Sequence, residues 1–455
     1  MSSKQDSAAI GFGGHPGGLP TLFFVEMWER FSYYGMRAIL VLYAVAPLSQ
    51  GGLGFGVKEA ASLYGTYTMA VYLLAVPGGF LADRWMGARQ AVVLGGIVIV
   101  FGQFCLVAPS LPFFYAGLSL IAIGTGLLKP NISTMVGSLY GEKDPRRDSG
   151  FSLFYMGINI GAVMAPLTCG FLAESAVFKA WLEARGFDPA ASWHWGFGAA
   201  GVGMILGLIV LFLRRATIAT VGSRPRPRSE TAGLEPAGPL TAGEWKRIGA
   251  ISILFTFTIL FWAAYEQKGA SLNLFAKQLV RTEIGGWEFP ASWLQSLTPF
   301  YVILLAPIFA RLWIRMGDRQ PSSPAKFALG LAAIGAAFCL LVPASALTAS
   351  GKISPLWLAG VYFLDVVGEM CLSPVGLSTV TKVAPARFVG LMMGAWFFAT
   401  SLGNKLAGYL SGFFVAGDSG VLMSLYGGIA VGLLAAAAVL AIATPSVRRM
   451  MGRAG

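Results

Sequence analysis

Four ionisable side chains crowd one short apolar stretch: Glu26, Glu29, Arg30 and Arg37, within Phe24-Val25-Glu26-Met27-Trp28-Glu29-Arg30-Phe31-Ser32-Tyr33-Tyr34-Gly35-Met36-Arg37. At about 100° per residue, steps of four, three and four place Glu26, Arg30, Tyr33 and Arg37 on one helical stripe, with Glu29 beside it. Acids and bases mixed on one face can neutralise one another, exchange protons, or hold a ligand that carries both signs. Near a bilayer centre each such charge costs about 2.5–3.5 kcal/mol on insertion scales. The face they share must therefore look into a protein-lined cavity. A lattice that merely fixes packing is the poorer explanation, because buried ion pairs rarely improve on apolar contacts.

Matching groups recur along the chain. Lys129 stands in Gly126-Leu127-Leu128-Lys129-Pro130-Asn131, Tyr155 and Asn159 are four apart, and Trp262 and Glu266 are four apart. Asp365 and Glu369 repeat that spacing, and Trp396 and Phe397 are adjacent. Cations (Arg30, Arg37, Lys129) fall in the first half and carboxylates (Glu266, Glu369) in the second. A ligand with an anionic and a cationic end would bridge the halves with fixed polarity. A zwitterionic peptide has those ends, amides for Asn159, and side chains for aromatic walls. His15 and His194 lie away from the centre, so carboxylates whose ion pairs form and break are the expected proton carriers. Lys268 and Asp365 acquire no role from the sequence.

The elements that must position these groups are membrane helices. Of 455 residues, 56% are hydrophobic and 12% charged, against about 25% charged in a soluble domain. The 59 glycines suit close helix packing in lipid. Runs of about 20 apolar residues give twelve expected spans, near residues 20–48, 57–82, 89–108, 112–138, 149–173, 193–213, 247–279, 290–314, 324–346, 354–380, 386–415 and 420–443. Proline interrupts several, at Pro77, Pro130, Pro166, Pro307 and Pro374. The expected organisation is a disordered tail (1–19), a six-helix bundle (20–213), a Pro- and Arg-rich linker (214–246), a second six-helix bundle (247–443) and a short tail (444–455).

Of the 33 Lys and Arg, only Lys58, Lys179, Arg185, Lys277, Arg281 and Lys352 fall in external segments. The positive-inside rule then puts both termini in the cytoplasm, and the net charge of +12 reflects topology rather than nucleic-acid binding. Met86-Gly87-Ala88-Arg89-Gln90 and Met316-Gly317-Asp318-Arg319-Gln320 occupy equivalent loops of the two halves. That points to a parallel repeat, with substrate bound at the repeat interface. Cys105, Cys169, Cys339 and Cys371 lie in apolar runs as packing thiols.

Glu26-x-x-Glu29-Arg30-Phe31-x-Tyr33-Tyr34-Gly35 resembles the defining motif of the proton-dependent oligopeptide transporter family, within the major facilitator superfamily. Gly79-x-x-x-Asp83-Arg84-x-x-Gly87-x-Arg89 is similar to that superfamily's loop motif. The segments around Lys129, Phe154-Tyr155-x-x-Ile158-Asn159, Trp262-x-x-x-Glu266-Gln267, Gly368-Glu369-x-x-x-Ser373-Pro374 and Gly394-x-Trp396-Phe397 follow in family order. The resemblance implies an all-α polytopic fold and proton-coupled symport of di- and tripeptides. Arg30 and Lys129 would hold the peptide carboxylate, Glu369 its amino end, and Asn159 its backbone. Tyr33, Tyr34, Tyr67, Trp262, Trp396 and Phe397 would shape side-chain pockets, with Thr298 and Thr400 nearby. Glu26, Glu29, Arg30, Lys129 and Glu266 would couple protons. Arg37 with Glu266 would form an external gate, Lys129 and Glu369 would also take part in gating, and Asp83 and Arg84 would stabilise the outward-facing state. Arg37 and Glu266 would also touch substrate.

Three departures stand out. Thr298 occupies a position where many relatives have Asn, the linker is too short and polar for two extra helices, and the central histidine of animal relatives has no counterpart. The competing transport reading is another small anion or zwitterion, such as nitrate or an amino acid derivative; the intact first motif and Glu369 argue against it. A membrane enzyme lacks support, since no Cys/His metal cluster or phosphate-binding loop appears. The resemblance implies a transporter of a bacterial inner membrane, driven by the proton gradient without cofactor or metal. It would contact lipid but no nucleic acid, and work as a monomer.

Overall fold

A computed structural model describes residues 11–141, 144–223 and 240–452. The helices are α1 (Gly18–Val45), α2 (Val57–Leu81), α3 (Ala88–Cys105), α4 (Leu111–Ser138), α5 (Arg147–Glu174), α6 (Ala176–Glu183) and α7 (Ser192–Leu213). They continue as α8 (Ala242–Tyr265), α9 (Ser271–Leu279), α10 (Leu297–Met316), α11 (Ser323–Leu347), α12 (Leu356–Val383), α13 (Val389–Ser411) and α14 (Ser419–Met451). A small antiparallel hairpin, β1 (Glu283–Ile284) and β2 (Trp287–Glu288), sits between α9 and α10. Among the described residues, ten helical stretches are long and apolar enough to cross a membrane. The protein is thus the nearly all-helical, multi-pass membrane protein its composition demands. Neither α1 nor α13 is among the ten: α1 carries Glu26, Glu29, Arg30 and Arg37, and α13 has Asn404 and Lys405 among small polar residues.

Local sequence sets many helix ends. Thr241 and Glu244 form a reciprocal capping box that satisfies donors at the start of α8, and the Asp418 side chain accepts from the Val421 N–H at the start of α14. The two copies of the repeated loop share a device. Gly87 (φ 80°) closes the turn after α2 and Gly317 (φ 49°) ends α10. This is a backbone region glycine enters without a Cβ penalty. The five prolines expected as interruptions lie inside α2, α4, α5, α10 and α12, none of which they terminate. Membrane neighbours can re-satisfy the freed carbonyls.

The chain divides into two compact units. The first holds the described residues within Met1–Leu40, Ser49–Gly51 and Ala70–Gly233; the second holds those within Val41–Leu48, Gly52–Met69 and Leu234–Gly455. Both α1 and α2 are therefore shared, α1 after Leu40 and α2 before Ala70 clustering with the C-terminal helices. In the first unit α3 packs along α4 and α7, around Leu22, Val25, Val92, Leu128, Ile132 and Met204. In the second, α11 packs along α12 and α14, and α8 along α13. A smaller cluster of Val302, Leu305, Val366 and Met370 joins α10 to α12.

Three stretches differ from expectation. The span expected over 247–279 is broken: α8 stops at Tyr265, Glu266–Gly269 form a 3-10 turn, and α9 begins at Ser271. Within the expected tail, Phe12–Gly14 form a 3-10 turn and His15 is buried, its Nδ1 2.9 Å from the Tyr140 hydroxyl. Arg146 donates to the Gly14 carbonyl at 2.8 Å. Hydrogen bonds from Arg146 also hold the Asp144 carboxyl well below its usual range, at about 2. These contacts give the segment partners its Gly-rich composition does not advertise. At the other end, α14 runs past the expected limit at residue 443 to Met451, with Arg448 and Arg449 in its last turn. Residues 1–10 of the expected tail, 224–239 of the linker and 453–455 lie outside the described residues.

Candidate functional site

In the first unit the charges converge on Arg30. Its Nε lies 3.2 Å from Glu26 Oε1 and also donates to the Glu29 carboxylate. Glu29 is 0% exposed, Glu26 2% and Arg30 3%, so all three side chains are enclosed by protein. Buried ions are tolerable only when paired and hydrogen-bonded, yet Glu26 Oε2, Glu29 Oε1 and Arg30 Nη2 make no hydrogen bond. The cluster thus keeps two acceptors and one donor in reserve, and the charge of Lys129 on α4 acts on Glu26 as well. Tyrosine faces supply the rest of the setting. Arg30 lies 5.1 Å from the Tyr33 ring centroid, Arg37 5.6 Å from that of Tyr34, and Lys129 Nζ 4.1 Å from that of Tyr72. Asn159 is buried on α5 and donates to the Tyr155 carbonyl one turn back at 2.9 Å. Asp83 and Arg84 are exposed on the turn that ends α2, Arg84 lying 5.9 Å from the Phe80 ring.

In the second unit the site is organised by the break after α8. Glu266, buried, accepts a hydrogen bond of 3.0 Å from the Tyr64 hydroxyl. Gln267 pins the break to α13: its amide donates to the Ala407 carbonyl at 3.1 Å, and its oxygen accepts from Ser411 at 2.7 Å and from Ser271. The same amide also donates to the Ala263 carbonyl at 3.1 Å, and the Ser271 N–H donates to the Ser411 hydroxyl at 3.3 Å, which satisfies groups that an interrupted helix would leave bare. Lys268, also buried, sets its Nζ 2.9 Å from the centroid of the Tyr265 ring, and the Tyr265 hydroxyl donates to Glu369 on α12. Trp262 packs edge-on to Tyr265 at 5.0 Å, its indole N–H without a partner. Thr298 is buried with an unpartnered hydroxyl, whereas that of Thr400 donates to the Trp396 carbonyl at 3.1 Å. Trp396 rests against Phe255, Phe327 and Gly376, where a Cβ would overlap the indole. Tyr67 is buried and Phe397 half-buried.

Sequence reasoning had named Glu26, Glu29, Arg30, Tyr33, Tyr34, Arg37 and Lys129, which the structure gathers in the first unit, and Trp262, Glu266 and Glu369, which sit around the break in the second. It passed over Tyr64, Tyr72 and Tyr265, whose hydroxyls or rings engage Glu266, Lys129 and Glu369. The signal for Tyr265 was its place beside Glu266 and three residues after Trp262. Tyr64 and Tyr72 carried none that separated them from packing aromatics.

A multi-pass helical chain that buries ion clusters on a membrane helix and at a helix break has the make-up of a secondary transporter. The family model described as POT family matches residues 89–234 and 241–425. The chain belongs to the POT family. It is 39% identical to the uncharacterized transporter YclF of Bacillus subtilis, covering 97% of this chain and 96% of that one. It is 35% identical to the peptide transporter YePEPT of Yersinia enterocolitica, with the same coverage. Among solved structures it is similar to a variant of a peptide transporter POT in complex with alafosfalin, at 36% identity and a TM-score of 0.88 over 97% of each chain.

Proposed function

We propose that the protein carries out proton-coupled symport of di- and tripeptides by alternating access, as a monomer in a bacterial inner membrane, powered by the proton gradient. The observation that carries this reading is the buried Glu26–Arg30–Glu29 cluster, which holds two carboxylates around one guanidinium and leaves an oxygen on each without a hydrogen bond. A peptide carboxylate is the natural partner for Arg30 and Lys129, and a proton for the acids that Arg30 then relinquishes. Glu369 takes the peptide amino end, and Asn159 the backbone through its carbonyl oxygen. Tyr33, Tyr34, Tyr67, Trp262, Thr298, Trp396, Phe397 and Thr400 bound the side-chain space. Arg37 and Glu266 form the external gate, Lys129 and Glu369 take part in gating, and Asp83 and Arg84 brace the outward-facing state.

The test is dialanine uptake by the purified protein in proteoliposomes, with and without an inward proton gradient. Gradient-driven accumulation that Glu29→Gln abolishes is the expected outcome. If dialanine neither accumulates nor competes with any other peptide, the substrate assignment fails and a wider anion and zwitterion screen replaces it.

A further inference from the structure

The symport reading leaves Asp365 and Lys268, two buried ionisable groups, unused. Asp365 is 0% exposed on α12, one turn before Glu369, and neither of its oxygens has a hydrogen bond. Side chains four apart on a helix lie about 5–6 Å from one another at Cβ, so the two carboxylates share one face. Lys268 is buried on the break between α8 and α9, against the Tyr265 ring whose hydroxyl binds Glu369. Its charge acts on both Asp365 and Glu369. The other titratable groups near this pair are Glu266, held by Tyr64, and Tyr362, buried beside Asp365.

Two carboxylates sharing the field of one ammonium are one positive charge short. A buried carboxylate without a hydrogen bond is costly, and the helix around Asp365 is otherwise largely apolar, with Val361, Val366 and Met370 buried on the same helix. Resting on the assignment of Glu369 to the peptide amino end, we propose that Lys268 is a resident stand-in for the substrate ammonium. Without peptide it serves Glu369, and when the peptide amino group arrives it transfers to Asp365. Asp365 is then a positioning residue, the site to which the displaced lysine retires. The broken helix makes the transfer feasible, because Lys268 rides on a short 3-10 turn rather than on a continuous α-helix.

The charge balance dictates the signs. With Asp365→Asn, Lys268 has nowhere to go and competes with the peptide for Glu369, so dialanine binds more weakly. With Lys268→Gln the competitor is gone and dialanine binds more tightly. With both substitutions, affinity returns towards that of the parent. Two cations coupled through one carboxylate should shift affinity by about fivefold or more.

The experiment is calorimetric titration of dialanine into the full-length parent, Asp365→Asn, Lys268→Gln and the double variant, with uptake kinetics on each. Weaker binding in Asp365→Asn, recovery in the double variant, and an effect on KM rather than kcat are expected. Parent-like binding by Asp365→Asn, or a double variant no better than Asp365→Asn, overturns the proposal. If Asp365→Asn fails to fold, Lys268→Gln decides alone, and binding no tighter than the parent's overturns it. Should the parent itself not bind dialanine, the symport reading and this inference fall together, an outcome distinct from either of the others.

Discussion

The Tyr64 hydroxyl donates to Glu266 at 3.0 Å, tying the first half of α2 to the turn that interrupts the helix after Tyr265. Both groups are enclosed by protein, and neighbouring bonds run the same way: Lys405 to Thr66 at 2.6 Å and Ser401 to the Met69 carbonyl at 3.1 Å. A polar seam thus holds the opening turns of α2 to α13 and to the break.

Tyr64→Phe removes the charge-assisted bond and leaves Glu266 one donor short. Such a bond contributes about 1.5–3 kcal/mol. The variant should melt earlier in detergent and lose gradient-driven dialanine accumulation while retaining dialanine binding. Unchanged melting together with unchanged accumulation would show that the bond has no part in closing this seam.

Arg30 is bonded to two enclosed carboxylates. Arg30→Ala strips both acids of their cation, and breaking a buried pair costs about 3–5 kcal/mol; poor folding in detergent is expected. Arg30→Lys keeps the charge but not the fork of donors. It should fold and lose about 1.5–3 kcal/mol of charge-assisted bonding, a tenfold or greater fall in uptake. Parent-like transport by the lysine variant would argue that charge alone matters here.

Sequence legibility differed sharply between the two clusters. The stripe on α1 was plain because its charges lie close together in one helix, and helical geometry alone brings Arg30 to Glu26. The break at Glu266–Gly269 was hidden. Apolar sequence continues on both sides, no proline marks it, and the partner that pins it, through Gln267, lies on α13 more than a hundred residues later. The seat of Trp396 was equally non-local, depending on a glycine twenty positions earlier on a different helix. Periodicity reports a helix's own face; what presses on that face is written elsewhere in the chain.

That seat can be tested. Gly376→Ala drives a methyl into the indole of Trp396, and overpacking costs about 1–3 kcal/mol. Lower melting and weaker dialanine binding should follow. On the same helix, a Cβ at Gly360 would make only an ordinary contact, 3.6 Å from Leu340. Gly360→Ala should be neutral, or stabilise by up to about 1 kcal/mol from helix propensity. Equal behaviour of the two variants would refute the packing role given to Gly376.

The Asp144–Arg146 pair makes a prediction about pH. Its carboxyl is depressed to about 2 by the hydrogen bonds from Arg146. A depressed acid contributes above its unfolded value and loses that contribution only as pH falls through its folded value. Between about pH 5 and 8 it therefore stays ionised in both states and cannot shape the proton dependence of uptake. Asp144→Asn should leave the pH profile of dialanine uptake unmoved. A displaced profile would mean that the loop between α4 and α5 communicates with the buried acids.

The last helix has a practical consequence. α14 continues unbroken for 33 residues, about 50 Å at 1.5 Å per residue, against about 30 Å of hydrocarbon. The surplus, which carries Pro445 and is tipped by Arg448 and Arg449, extends the helix past the length the hydrocarbon requires. A helical protein spliced onto it in phase would inherit the orientation of the transporter. That is a place to graft a fiducial for aligning single-particle images.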